Sequence, residues 1–208
     1  MKDLSWSDIT LEQYMLIQEI KKQDSLDIMV ELIKILFKIE DPESLPYTEF
    51  LKYSDKLKFL GKEITRVPLK DTYQINGTTY RLENNVMLFM TQQVVDWRNY
   101  SKEDNNMHKL LSVVMVPEDH KYNDGYSIEK VQDDMLDLDM PTVISLMDFF
   151  QKCWVEFIKV SRDYLTSQLK KTEIPEEKKK EIEEKMDLLR NMICSPLSSI
   201  TVKRPMKL

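Results

Sequence analysis

Between Asp139 and Leu169 the apolar side chains recur mostly at three- and four-residue steps: Val143, Ile144, Leu146, Met147, Phe149, Phe150, Cys153, Trp154, Phe157, Ile158, Tyr164, Leu165 and Leu169. That is the period of an α-helix. Pro141 stands where a fixed φ suits the first turn, and Asp137 and Asp139 bring negative charge to the positive end of the helix. From Phe149 to Phe157 the apolar arc is too wide for one seam. The stretch therefore predicts a central core helix that other elements must surround.

The remaining sequence supplies those elements, and most of them read as helices. Thr10 and Gln13 have capping-box spacing, with Ser7 or Asp8 as a further cap, ahead of a stripe of Leu11, Tyr14, Met15 and Ile17 that reaches Ile20. A second helix carries Ile28, Met29, Leu32, Ile35, Leu36 and Ile39 and stops at Asp41-Pro42, because the residue before proline is driven out of the helical region. Pro46 opens a third in its first turn, with Phe50, Leu51, Tyr53, Leu57 and Leu60 leading to Gly61. Later, Thr91 heads a helix with Val94, Val95, Trp97 and Tyr100. Asn105 or Asn106 starts another, with Leu110, Leu111, Val114 and Met115, which Pro117 stops. Ser127 caps a short helix, only partially, because Lys130 stands where a capping box needs an acceptor.

One segment departs from the helical period. Thr72-Tyr73-Gln74-Ile75 and Thr78-Thr79-Tyr80-Arg81-Leu82 flank Asn76-Gly77, the dipeptide a type I′ turn prefers because both central residues need positive φ. The flanks are rich in strand formers, so this is a β-hairpin. At the other end, Pro175 starts a helix running to about Cys194. Over 170–190, seven basic residues balance seven acidic ones, and Ile182, Met186, Leu189 and Met192-Ile193 form a narrow apolar stripe. That pattern describes a helical hairpin arm, packed along one seam and solvated elsewhere. Only 3 glycines in the chain argue against a turn-rich all-β fold and leave no Gly-rich phosphate loop. The expected class is mainly α: a helical bundle with one small β-hairpin insertion and a C-terminal helical hairpin arm. The expected segments are an N-terminal three-helix unit (1–61), a hairpin segment (62–90), a central helical core (91–171) and a charged arm with a basic tail (172–208).

Tests for catalytic or metal chemistry find little. The chain lacks a Gly-x-Ser-x-Gly elbow. Cys153 falls on the apolar face beside Trp154, which reads as a buried structural thiol, and Cys194 as a spare surface thiol. His108 and His120 are the two histidines. His120 lies in the polar loop Glu118-Asp119-His120-Lys121, where solvation is the simpler reading. Two thiols and two imidazoles do not compose a zinc site. Asp133, Asp134, Asp137 and Asp139 lack the glycine and distal glutamate of a calcium loop. We therefore expect no enzymatic activity, no cofactor and no metal.

Binding signals are stronger. Thirteen methionines are many, and thioethers suit adaptable surfaces, although Met29, Met115, Met147 and Met192 fall on apolar helical faces. Met87, Leu88, Phe89 and Met90 form the best candidate for an exposed partner-binding strip, with Ile182, Met186 and Leu189 of the arm as a second. Net charge is −6, which disfavours nucleic acid, and Lys203, Arg204 and Lys207 alone make a weak phosphate-binding patch. The opening Met-Lys-Asp-Leu-Ser-Trp lacks the apolar stretch of a signal peptide. No window reaches the roughly 20 apolar residues of a membrane span, and two sparse cysteines fit a reducing compartment.

Several stretches carry a resemblance: Trp6-Ser7-Asp8-Ile9-Thr10-Leu11-Glu12-Gln13-Tyr14, then the Tyr73-Gln74-Ile75-Asn76-Gly77-Thr78-Thr79-Tyr80 hairpin, then Leu111 through Pro117, Lys121-Tyr122-Asn123-Asp124-Gly125-Tyr126 and Ile128, and finally Met147-Asp148-Phe149-Phe150. This order resembles small proteins in the structural-gene blocks of tailed phages infecting Bacteroidales, including crAss-like phages. It covers residues 4–165, leaves out the charged arm, and rests on turns and aromatics. The resemblance implies a role in virion or tail assembly and brings no catalytic residues. Either a particle component near the tail or an assembly chaperone absent from the mature particle satisfies it. The implied partners are other phage structural proteins, with a homo-oligomer left open and no membrane. The implied location is the virion or the cytoplasm of the infected bacterial host. The competing classes are a nucleic-acid-associated regulator and a hydrolase centred on Cys153, His108 or His120.

Overall fold

A computed structural model describes residues 3–20, 24–85, 89–102, 105–170 and 175–194, with side chains to Asp187 in the last helix. The fold is mainly α. Among the described residues there are eight α-helices: α1 (Leu11–Glu19), α2 (Ser25–Phe37), α3 (Tyr47–Lys56), α4 (Thr91–Tyr100), α5 (Met107–Val114), α6 (Ile128–Met135), α7 (Met140–Leu169) and α8 (Glu176–Cys194). Three strands, β1 (Thr72–Ile75), β2 (Thr78–Leu82) and β3 (Met115–Pro117), form an antiparallel sheet in the order β1-β2-β3.

The long helix forms as its pattern requires. Asp139 accepts from the Thr142 N–H (3.0 Å) and hydroxyl (2.9 Å), and Pro141 lies in the first turn. From Met140 to Met147 every residue is buried, and Phe150, Trp154 and Ile158 carry the buried face outward. One hydrophobic cluster gathers residues from Trp6 to Ile158, so the first three helices share it. Cross-links fix their placement. The Leu11 N–H donates to the Leu138 carbonyl (2.9 Å), the Met140 N–H to the Ile9 carbonyl (3.0 Å), and the Trp6 indole to the Lys62 carbonyl (2.9 Å). The extended run after Gly61 lies along α7, where the Val67 N–H donates to the Ser145 hydroxyl (2.8 Å) and Arg66 pairs with Asp148.

Local starts and stops differ from the sequence reading at several points. Thr10 and Gln13 form the expected reciprocal cap, but Ser7 and Asp8 lie in a preceding 3₁₀ turn capped by Ser5. The second helix ends at Phe37, where Lys38 takes a left-handed conformation (φ 55°), ahead of Asp41-Pro42. Pro46 is the cap of α3 and not a first-turn residue, and the last residues before Gly61 are a 3₁₀ turn. Met90, not Thr91, caps α4, with its N–H held by the Gln93 side chain (2.8 Å). The hairpin is also not an isolated insertion. Met115–Pro117 leaves the helical path and pairs with β2, Leu82 opposite Met115 and Tyr80 opposite Pro117.

The hairpin register matches the sequence expectation, with Ile75 opposite Thr78 and both turn residues at positive φ (Asn76 48°, Gly77 78°). A Cβ built on Gly77 meets nothing within 4 Å, so a substitution there costs backbone conformation alone. Gly77→Val is expected to destabilise the fold by about 1–2 kcal/mol, because a β-branched residue resists the left-handed region. Thermal unfolding of the two proteins checks this, and equal melting temperatures would contradict it.

Candidate functional site

The outer half of α7 carries apolar side chains that the fold leaves exposed. A helix of 30 residues is about 45 Å long, and only its inner half is enclosed. Trp97 of α4 covers Phe150 at 3.8 Å between ring centroids and Trp154 at 5.9 Å. Phe89 stacks on Phe150 at 5.7 Å, and Phe157 on Trp154 at 5.5 Å. Beyond Ile158 nothing on α7 is fully buried. Ser161, Leu165 and Leu169 are half-buried at helical steps. On α8, which packs against α7, Lys179, Ile182 and Met186 are half-buried at the same steps. These two lines form the narrow seam of the arm. Away from that seam Val155 (53%), Val160 (41%) and Tyr164 (62%) are exposed. Val160 and Tyr164 stand four residues apart and share a face that Phe157 and Cys153, both half-buried, continue inward.

The residues singled out as partner-binding fall in separate places. Phe89 is half-buried against the aromatic cluster, and Met90 beside it is 48% exposed. Met87 and Leu88 lie outside the described residues. Ile182 and Met186 belong to the arm seam, and the side chain of Leu189 lies outside the description. Phe89–Met90 lead into α4 whereas the arm pair sits on α8, so the sequence candidates belong to different elements. The exposed positions on α7 were not among them. Periodicity alone did not mark them as exposed, because it does not say which apolar side chains find cover.

The other constellation is polar and structural. Asp134, on the inner face of α6, is 5% exposed. Its carboxylate accepts from the Tyr80 hydroxyl of β2, from the Asn76 side chain in the hairpin turn (3.1 Å), and from the Lys130 ammonium one helical turn back (2.6 Å). Asn76 donates again to Asp137 (2.7 Å). Burial pushes the Asp134 carboxyl up, but the hydrogen bonds from Lys130, Tyr80 and Asn76 outweigh it and hold the group below the usual carboxylate range. Burial, reinforced by the Asp134 charge, pushes the Tyr80 phenol far above its ordinary value. Asp139 has the expected helix-cap role, whereas Asp134 and Asp137 anchor the hairpin turn to the helices.

The remaining candidates for chemistry have local roles. The His120 Nδ1 lies 3.0 Å from the Asp124 carbonyl, and its ring meets Tyr126 edge-on. Gly125 (φ 78°) gives that ring room, since a Cβ there would come within 3.1 Å of it. Burial, with Lys109 nearby, lowers the His108 pKa, so this imidazole stays neutral near pH 7. Cys153 is half-buried, and burial pushes its thiol up, away from the thiolate a nucleophile needs. Cys194 has its side chain outside the description. Among the described residues no group of three or more His, Cys, Asp or Glu side chains is placed to hold a metal ion, and no helix is long and apolar enough to cross a membrane. Compared with models of known protein families, with curated proteins and with solved structures, the chain finds no match in any of the three.

Proposed function

We propose that the protein works without catalysis, by binding other proteins during assembly of a tailed-phage particle, either as a component near the tail or as a chaperone of an unassembled tail protein. The observation that carries this reading is the outer half of α7, where Val160 and Tyr164 are exposed on one face that Phe157 continues inward, away from the seam with α8. Apolar side chains held on a rigid helix at low entropic cost suit a helix-to-helix contact, in which aromatic anchors such as Tyr164 contribute most. The resemblance of residues 4–165 to small proteins of phage structural-gene blocks names the kind of partner.

The test is affinity capture of the tagged protein from infected cells, with mass spectrometry of what is retained. Portal, tail or capsid proteins at fixed stoichiometry are expected. The variant Val160→Asp/Tyr164→Asp is expected to lose them while folding normally, because each site is exposed and costs at most about 0.5 kcal/mol. Detection in purified particles identifies a component, and its absence there with a retained tail protein identifies a chaperone. Recovery of nucleic acid in place of these partners, released as salt rises, overturns the proposal in favour of a regulator.

A further inference from the structure

Beside its seam with α8, the helix α7 carries a second apolar line. Phe150, Cys153, Phe157, Val160 and Tyr164 follow one another at alternating three- and four-residue steps. That is heptad spacing, which keeps apolar side chains facing a neighbouring helix. Phe150 is buried against Trp97, Cys153 and Phe157 are half-buried, and Val160 and Tyr164 are exposed. Ser161 and Leu165, on the α8 seam, each follow a residue of this line by one position, which turns them about 100° round the helix. The line therefore runs alongside α8, and a helix laid on it rests against α7 with α8 at one flank.

The other flank is acidic. Glu156 and Asp163 directly precede Phe157 and Tyr164, so they border the line on the side away from α8. Both are exposed, and they stand one heptad apart. In paired helices these flanking positions are the ones whose charge selects the partner. Lys152 and Lys159 precede the alternate residues of the line, Cys153 and Val160, and sit roughly 50° further round from it. Lys159 lies 4.0 Å from Glu156 on that outer side. The border nearest the apolar line is therefore the pair of carboxylates.

We propose that the partner's contact element is an amphipathic helix whose apolar stripe is bordered by lysine or arginine, and that it docks along Phe157, Val160 and Tyr164 with its cations against Glu156 and Asp163; this rests on the reading of that face as the partner site. The apolar side chains supply affinity, and the two carboxylates choose among helices. A second copy of this chain is the poorer occupant, because an antiparallel copy sets Glu156 against the second copy's Asp163.

Two synthetic peptides of roughly three heptads test this on the full chain by fluorescence anisotropy. They share one stripe of leucine and isoleucine, bordered by lysine in the first and by glutamate in the second. The lysine peptide is expected to bind at least about 10-fold more tightly at low salt, and the preference to shrink as salt rises. Glu156→Lys/Asp163→Lys is expected to invert the preference. Val160→Ser/Tyr164→Ser, at two exposed positions, is expected to lose both peptides at an unchanged melting temperature. Binding of neither peptide, equal binding of both, a preference that charge reversal leaves in place, or lysine-peptide binding that survives the serine variant overturns the proposal. Self-association that the serine variant abolishes assigns the face to a second copy and overturns it too. The assembly reading is judged separately. If Glu156→Lys/Asp163→Lys still captures phage proteins from infected cells and Val160→Asp/Tyr164→Asp does not, the partner site stands and the charge selection fails.

Discussion

Replacing Trp97 by alanine is expected to destabilise the protein by about 3–5 kcal/mol, the range for deleting a large aromatic side chain from a packed interior. Trp97 is 2% exposed and joins two elements that have no covalent reason to meet, since its indole lies against Phe150 and Trp154 of α7 while its backbone belongs to α4. Truncation leaves a cavity that the surrounding rings of Phe89, Phe150 and Trp154 fill only by leaving their present stacking. Against a total stability of about 5–15 kcal/mol the loss is a large fraction. For a chain of this length it corresponds to roughly 6–20 °C in melting temperature. Tyr164→Ala on the same long helix is the control. At 62% exposure it removes a comparable ring from water and not from a core, so a change within about 0.5 kcal/mol is expected. Equal melting temperatures for the Trp97 variant and the wild type would mean that α4 does not close the core as described.

What separates these two aromatics was only partly legible in the sequence. The 3.6-residue period located α7 and its start at Asp139-Met140-Pro141, and Asn76-Gly77 fixed the hairpin to its register, because both are local signals read over a few residues. β3 escaped. Met115-Val116-Pro117 follows a helix without a change in hydrophobicity, and its strand character comes from pairing with Tyr80, Arg81 and Leu82, more than thirty residues earlier. A three-residue run carries no period, so tertiary context decided it. The exposed face of α7 was hidden for a related reason. Periodicity marks the side chains that are apolar, whereas which of them find cover depends on which helices arrive, and α8 is the helix that packs along the outer part of α7 among the described residues. Asp134 was weighed in the sequence only with Asp133, Asp137 and Asp139 as a calcium loop and given no role of its own, yet it sits beside Met135 and three residues from Val131, both buried. A carboxylate on an apolar face is the sign that a partner must be found for it.

That partner set leads to the second large expected effect. Asp134→Ala is expected to cost about 2–3 kcal/mol, chiefly because the Tyr80 hydroxyl, on a residue 1% exposed, loses its acceptor where water does not reach it. Lys130 contributes little to this, since its side chain is 59% exposed and returns to solvent. Asn76 keeps Asp137 as an acceptor. The Tyr80→Phe background isolates the cause. With the hydroxyl already gone, the alanine substitution should cost markedly less, and a coupling of about 1 kcal/mol or more between the two sites is the expected outcome of the cycle. Acid gives an independent reading. The folded protein holds the Asp134 carboxyl below its ordinary value of 3.8, so it binds a proton less readily than the unfolded chain. Its contribution is therefore fully present above about pH 4 and is lost as pH falls through the lowered folded value. Asp134→Asn lacks this titration, and its stability should fall less steeply than that of the wild type below pH 4. Parallel acid-unfolding curves for the two proteins would show that the carboxylate is not held as the geometry requires, and would remove the anchor that sets the hairpin turn against α6.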